Sequence, residues 1–169
     1  MWGFAWNIFN KKEDNKMKDA ISIPRVKQLH PKVIDDFKNF ITDAEQGLGI
    51  VIRVTQGLRT FEEQQALYDM GRTKPGKIVT KAKPGQSYHQ YGLAIDTVEI
   101  INNGKDVDWN YDMAKLVPYA HKYGITWGGS FQNFKDYPHF EKTMGYNWRD
   151  LLAKYNAKDF ITGTQYVNI

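Results

Sequence analysis

The stretch SYHQYGLAID, residues 87–96, sets His89 and Asp96 seven positions apart with a glycine between them. Its second half runs into LAIDTVEI, residues 93–100, a short run of branched and apolar residues that reads as a β-strand. Strand alternation puts Leu93 and Ile95 on one face, and Ala94 and Asp96 on the other. A small residue beside an acid leaves room on that face for something to approach. His89 lies just after a loop and just before the strand. A fold has no need of this arrangement, whereas a metal ion would use it.

Upstream, residues 72–86 (RTKPGKIVTKAKPGQ) form a loop with five basic residues and no acid. TFEEQQALYDMG before it reads as a helix opened by a Thr60/Glu63 capping box and stopped at Gly71. IVIRVTQG is a strand ending at a glycine. HPKVIDDFKNFITDAEQG is a helix with Pro31 in its first turn and Gly47 or Gly49 at its end. Its apolar face is Val33, Ile34, Phe37, Phe40, Ile41 and Ala44.

Downstream, NNG at 102–104 is a hairpin turn. YDMAKLVPYAHKYG has helical periodicity but holds Pro118, and an interior proline costs about 3 kcal/mol, so a kink or a late start is expected. ITW and PHFEK are short strands around a glycine-rich aromatic loop. NWRDLLAKYNA is a closing helix capped by Asn147. This order predicts an α+β fold, one domain with a small antiparallel sheet flanked by helices.

The bulk numbers fit that size. The chain has 169 residues, 41% hydrophobic, 25% charged and 14% aromatic, which suits one globular core rather than disorder. A net charge of +4 draws weakly on polyanions, either nucleic acid or bacterial wall polymers. With no cysteine, disulfides, thiolate metal sites and cysteine nucleophiles are excluded. No apolar run of about 18 residues predicts a membrane span. The N-terminus is apolar first and charged after, the reverse of a secretory signal. Residues 1–20 read as a flexible or surface-lying extension and 21–169 as the domain. Trp2, Phe4, Trp6 and Phe9 suit a membrane interface, but a plain tail is the favoured reading.

Four histidines are present. His30, at a helix start, and His121, in a helical pattern, read as surface or capping residues. His139 lies at a strand edge in DYPH, three positions after Asp136. Two imidazoles and a carboxylate can hold zinc and leave a position for water whose pKa the metal lowers. A free carboxylate can then move the proton to a leaving amine, a role open to Asp136 if DYPH turns tightly. The same residues also suit a plain hydrogen-bonded pair of histidines, with Asp96 capping or pairing with a lysine.

SYHQYGLAID resembles the SxHxxGxAxD motif of the zinc D,D-peptidase family, and DYPH its (D/E)xxH motif. Residues 55–96, WGGSFQNFKDYPHFE and VKQLHP resemble the L-alanyl-D-glutamate endopeptidase branch of that family, so the likeness spans about residues 26–142. It implies a Hedgehog/D,D-peptidase-like fold with one zinc ion at the sheet edge, held by His89, Asp96 and His139. It makes 21–169 a peptidase domain. Asp136 would be the general base and later the acid, and Arg59 of GLRT would face the scissile carbonyl. An ion pair of Arg59 with Glu62 or Glu63 is the competing reading. Ser87 would support the site from behind. Gln64 is a substrate contact or a solvated helix residue, and Trp127 a cleft wall or core. Gly128 and Gly129 would let backbone approach a ligand. Glu141 shares a strand face with His139 but ranks below Asp136 as base. The basic loop would hold an acidic peptide or simply be solvated.

The implied activity is zinc-dependent hydrolysis of peptidoglycan stem peptides, at the L-Ala–D-Glu bond. The alternatives are a D-alanyl-D-alanine carboxypeptidase and a catalytically silent, zinc-containing wall-binding module. Nucleic-acid binding is disfavoured, since no helix concentrates the basic residues. A monomer is expected, made in the cytoplasm and acting at the bacterial wall through phage-type release or unrecognised export.

Overall fold

The computed structural model describes residues 16–169. The N-terminal aromatics Trp2, Phe4, Trp6 and Phe9 lie outside the described residues. Helix α1 spans Ser22–Lys27, α2 Ile34–Leu48, α3 Phe61–Asp69, α4 Val117–His121 and α5 Trp148–Asn156. The strands are β1 (Val51–Gln56), β2 (Ala94–Ile101), β3 (Asp106–Asp108), β4 (Thr126–Trp127) and β5 (His139–Glu141).

Strand β2 organises the sheet. β1 runs antiparallel along one of its edges, from Val51↔Ile100 to Gln56↔Asp96. The other edge is shared: β5 pairs with its start and β3 with its end, and β4 adds outside β5. The fold is thus α+β with an antiparallel sheet. The amphipathic face of α2 buries Phe37, Phe40, Ile41 and Ala44 against Ile52, Val54, Leu93, Ile95 and Phe140. Phe40 and Phe140 meet at 5.1 Å between ring centres.

Local chemistry sets most boundaries. Both arms of the Thr60/Glu63 capping box form, as do those of a second box between Asn147 and Asp150 that starts α5. Gly49, at φ +69°, ends α2. Pro118 falls in the first turn of α4, where its missing N–H costs nothing, and the periodicity before it becomes a separate 3₁₀ turn, Met113–Leu116. Pro31, expected inside α2, instead lies in the turn before it.

Three features were not anticipated. α1 is one. Packing also begins before residue 20: Met17 is in the core, and Asp19 binds the Ser22 hydroxyl at 2.6 Å and Arg53 at 3.0 Å. His30, expected at the surface, is fully buried. Its Nδ1 accepts from the Lys32 amide, so Nε2 carries the proton and donates to Val167 O at 2.9 Å. His30 therefore pins the C-terminal segment to the start of α2.

Candidate active site

Three elements bring the motif residues together. His89 sits on a 3₁₀ turn, Tyr88–Tyr91, closed by Gly92 at φ +68°. A Cβ on Gly92 would come within 2.6 Å of the His30 amide, so both the backbone angle and the close approach require glycine. Asp96 lies in β2, and the β2–β5 register sets it directly opposite His139. Asp96 Oδ1 is 3.2 Å from His89 Nε2 and 3.2 Å from His139 Nδ1. One ligand atom from each of the three residues falls within 4.8 Å of the others. His121 is exposed and takes no part.

The donor chemistry fits a metal. His89 Nδ1 lies 2.9 Å from Gly57 O, which fixes the proton there and leaves the Nε2 lone pair for the cluster. His139 Nε2 lies 2.9 Å from Glu141 Oε2, which in the same way frees Nδ1. Each imidazole is thus oriented by an acceptor behind it, as in metal sites where a carboxylate or carbonyl holds the ligating ring. Glu141, weighed from sequence as a rival base, is this orienting partner. Period-2 spacing from His139 was the signal for it.

Electrostatics favour an ionised aspartate between the rings. Burial works to raise the Asp96 carboxyl, but His89 and His139 more than offset it and hold it well below the usual carboxylate range. Burial works to lower His139, yet Asp96 and Glu141 push it up to about 9. No lysine pairs with Asp96 among the described residues.

Asp136 reaches the site because DYPH does turn tightly: the His139 amide donates to Asp136 O at 3.2 Å. Gly128 makes room for that turn. Its carbonyl accepts the Asp136 amide at 3.1 Å, and a Cβ on it would lie 2.5 Å from Asp136 O. Its small size thus serves the chain's own turn rather than ligand approach. Burial raises the Asp136 carboxyl above its ordinary value, with Asp96 adding to the effect.

Arg59 is only 11% exposed and lies 3.7 Å from Asp96 Oδ2, with Nη1 donating to Gln64 Oε1 at 2.9 Å. It makes no ion pair with Glu62 or Glu63 among the described residues, since the Glu63 carboxylate is engaged in the capping box. Gln64 is fully buried, and its Nε2 donates to Ala82 O at 2.7 Å. It faces neither solvent nor the cleft, and it braces Arg59 against the loop. Trp127 is not a cleft wall: its Nε1 donates to Tyr137 O at 2.7 Å, and its ring covers Gly129. It props the loop that carries Asp136.

These residues open onto a cleft of about 550 Å³ lined by His89, Asp96, His139, Asp136, Arg59 and Ser87. Glu141, Phe131, Phe134 and Trp109 also line it. Of the five basic residues in the 72–86 loop, only Lys81 lines the cleft, 5.2 Å above the Phe134 ring. Arg72 instead ties the loop to the end of α3 through Tyr68 O and to itself through Thr80 O.

The D-alanyl-D-alanine carboxypeptidase family model matches residues 80–142, which hold both motifs. The chain is 40% identical over 128 residues to the peptidoglycan L-alanyl-D-glutamate endopeptidase CwlK of Bacillus subtilis, covering 70% of this chain and 76% of that protein. It is 30% identical over 105 residues to the L-alanyl-D-glutamate peptidase of Listeria phage A118, covering 60% of this chain. There it spans about a third (34%) of the phage protein. The fold is similar to the Serratia marcescens L-Ala D-Glu endopeptidase ChiX, with TM-score 0.56, 23% identity, and coverage of 84% of this chain and 97% of that one. The chain belongs to the D-alanyl-D-alanine carboxypeptidase family and is a peptidase of that family.

Proposed function

We propose that this protein is a zinc peptidase that hydrolyses the L-Ala–D-Glu bond of peptidoglycan stem peptides. The observation that carries the reading is the convergence of His89, Asp96 and His139 within 4.8 Å in a cleft shared with Asp136 and Arg59. The bond assignment is supported by the printed activities of the Bacillus and phage relatives.

His89 Nε2, Asp96 Oδ1 and His139 Nδ1 would hold the ion, which would supply an activated water and polarise the scissile carbonyl. Asp136 takes the proton during attack, and its raised pKa suits the later step of returning it to the leaving nitrogen. Arg59 donates to the oxyanion as charge develops; Gln64 keeps its guanidinium aimed so that little reorganisation is needed. Ser87 offers a hydroxyl at the cleft surface. The site of action is the bacterial cell wall, and the working unit is a monomer that needs no nucleic acid.

The test is digestion of purified peptidoglycan by the zinc-loaded protein beside Asp136→Ala, with products read by mass spectrometry. New D-glutamate amino termini from the native protein alone support the reading. Released D-alanine replaces it with the carboxypeptidase activity that names the family. No product from several wall types, with zinc bound, leaves a wall-binding module.

A further inference from the structure

Trp109 lines the cleft, yet it belongs neither to the catalytic set nor to the core. It is 60% exposed, the highest value for a large apolar side chain among the described residues. Its ring has no aromatic partner there, and its N–H no acceptor. A bare indole in this cleft is the kind of surface that takes up a ligand with an apolar face and polar rim.

Strand register places it. β3 pairs with β2 through Glu99↔Asp108, one residue before Trp109, on the same edge where Asp96 faces His139. From Asp96 to Glu99 is three residues of strand, about 10 Å at ~3.3 Å each. The backbone at Asp108 thus stands about 10 Å from Asp96 along the sheet, and the next residue, Trp109, lines the same cleft as Asp96.

The chemistry of the substrate supplies the matching length. In peptidoglycan the L-alanine nitrogen is acylated by the lactyl group of an N-acetylated sugar. From the L-alanine carbonyl to the sugar, the chain is one alanyl and one lactyl unit, about 7 Å when extended. With the sugar side of the scissile bond directed toward β3, a pyranose ring comes within reach of Trp109. Cleavage between the terminal D-alanines would carry the sugar five such units away, about 17 Å, well past the indole.

We propose that Trp109 is a sugar platform: the ring of the peptide-bearing N-acetylmuramyl residue stacks on it, so that the enzyme selects glycan-linked stem peptides over free ones. This rests on the L-Ala–D-Glu assignment.

The test compares the zinc-loaded native protein with Trp109→Ala and Trp109→Phe. One substrate is the disaccharide-tetrapeptide; the other is the same tetrapeptide, N-acetylated and without sugar. Trp109→Ala raises KM about 10-fold on the first, the usual scale for losing an aromatic anchor, with kcat little changed. Cleavage of the sugar-free peptide shifts by no more than about 2-fold, and Trp109→Phe recovers part of the loss. Equal losses on both substrates, or none on either, overturn the proposal. If the native protein cuts neither substrate at L-Ala–D-Glu, the bond assignment fails instead. The sugar contact is then decided by NMR saturation transfer with the free disaccharide: a signal lost in Trp109→Ala upholds it, and no signal from native protein overturns it.

Discussion

His139 stands between two carboxylates, with Nδ1 3.2 Å from Asp96 Oδ1 and Nε2 2.9 Å from Glu141 Oε2. The first is its neighbour across β2 and β5; the second lies two residues along its own strand. One ring is thus aimed by one acid and, in the proposed zinc site, would share the metal with the other.

Glu141→Gln keeps the shape and removes the charge that fixes the Nε2 proton. Metal affinity should fall about 10- to 100-fold, the range seen when such orienting partners are lost. Competition with a chromophoric chelator measures it. Unchanged affinity would show that strand geometry alone holds the ring.

In the metal-free protein both carboxylates hold His139 protonated up to about pH 9. Metal needs the neutral ring, so binding below that pH expels the proton, and apparent affinity climbs as pH rises toward 9. Titration calorimetry in buffers of different ionisation enthalpy counts that proton. Binding with no proton release between pH 6 and 8 would contradict this picture.

The proposed base role of Asp136 requires its ionised form, and burial raises its pKa. The acid limb of kcat/KM should therefore sit above the ordinary carboxylate range, with activity lost as pH falls through it. Asp136→Ala should cost about 10²- to 10⁴-fold in kcat. The sign for stability is opposite. An acid whose folded pKa is raised favours the fold while protonated and opposes it once ionised. Asp136→Asn should therefore raise the thermal midpoint of the metal-free protein at neutral pH while abolishing activity.

Gln64 joins Arg59 to Ala82 O from a fully buried position. Gln64→Leu leaves a carbonyl unpaired and frees the guanidinium, which should cost about 1–3 kcal/mol in chemical denaturation. It should also lower kcat more than it raises KM, because the lost interaction is one made in the transition state. A pure KM effect would mean that Gln64 shapes ground-state binding instead.

Gly128→Ala drives a Cβ to within 2.5 Å of Asp136 O and 3.0 Å of the His139 side chain. The DYPH turn must shift, and a misplacement of about 1 Å costs on the order of 100-fold in rate. Circular dichroism should show the fold intact while turnover collapses. A fully active variant would mean that the turn yields without moving the base.

The sequence by itself determined what short-range rules govern. The alternation along LAIDTVEI set Ala94 beside Asp96. The pairs Thr60/Glu63 and Asn147/Asp150 started two helices, since a capping box needs only an i, i+3 spacing. Pro118 moved the start of α4 because it lacks one N–H. The paired motifs then pointed, through resemblance, to the residues that the fold brings together as a candidate metal site. Tertiary structure alone decided which groups stand behind those residues. The facing of Asp96 and His139 depends on a strand pairing 43 residues apart, and that of His30 and Val167 on a contact 137 apart. No local period encodes such distances. For the same reason, Gln64 on a helix could not be read as buried, nor Trp127 as a prop rather than a wall. What each touches is set by the loop folded over it, and that packing exists only once the sheet has closed.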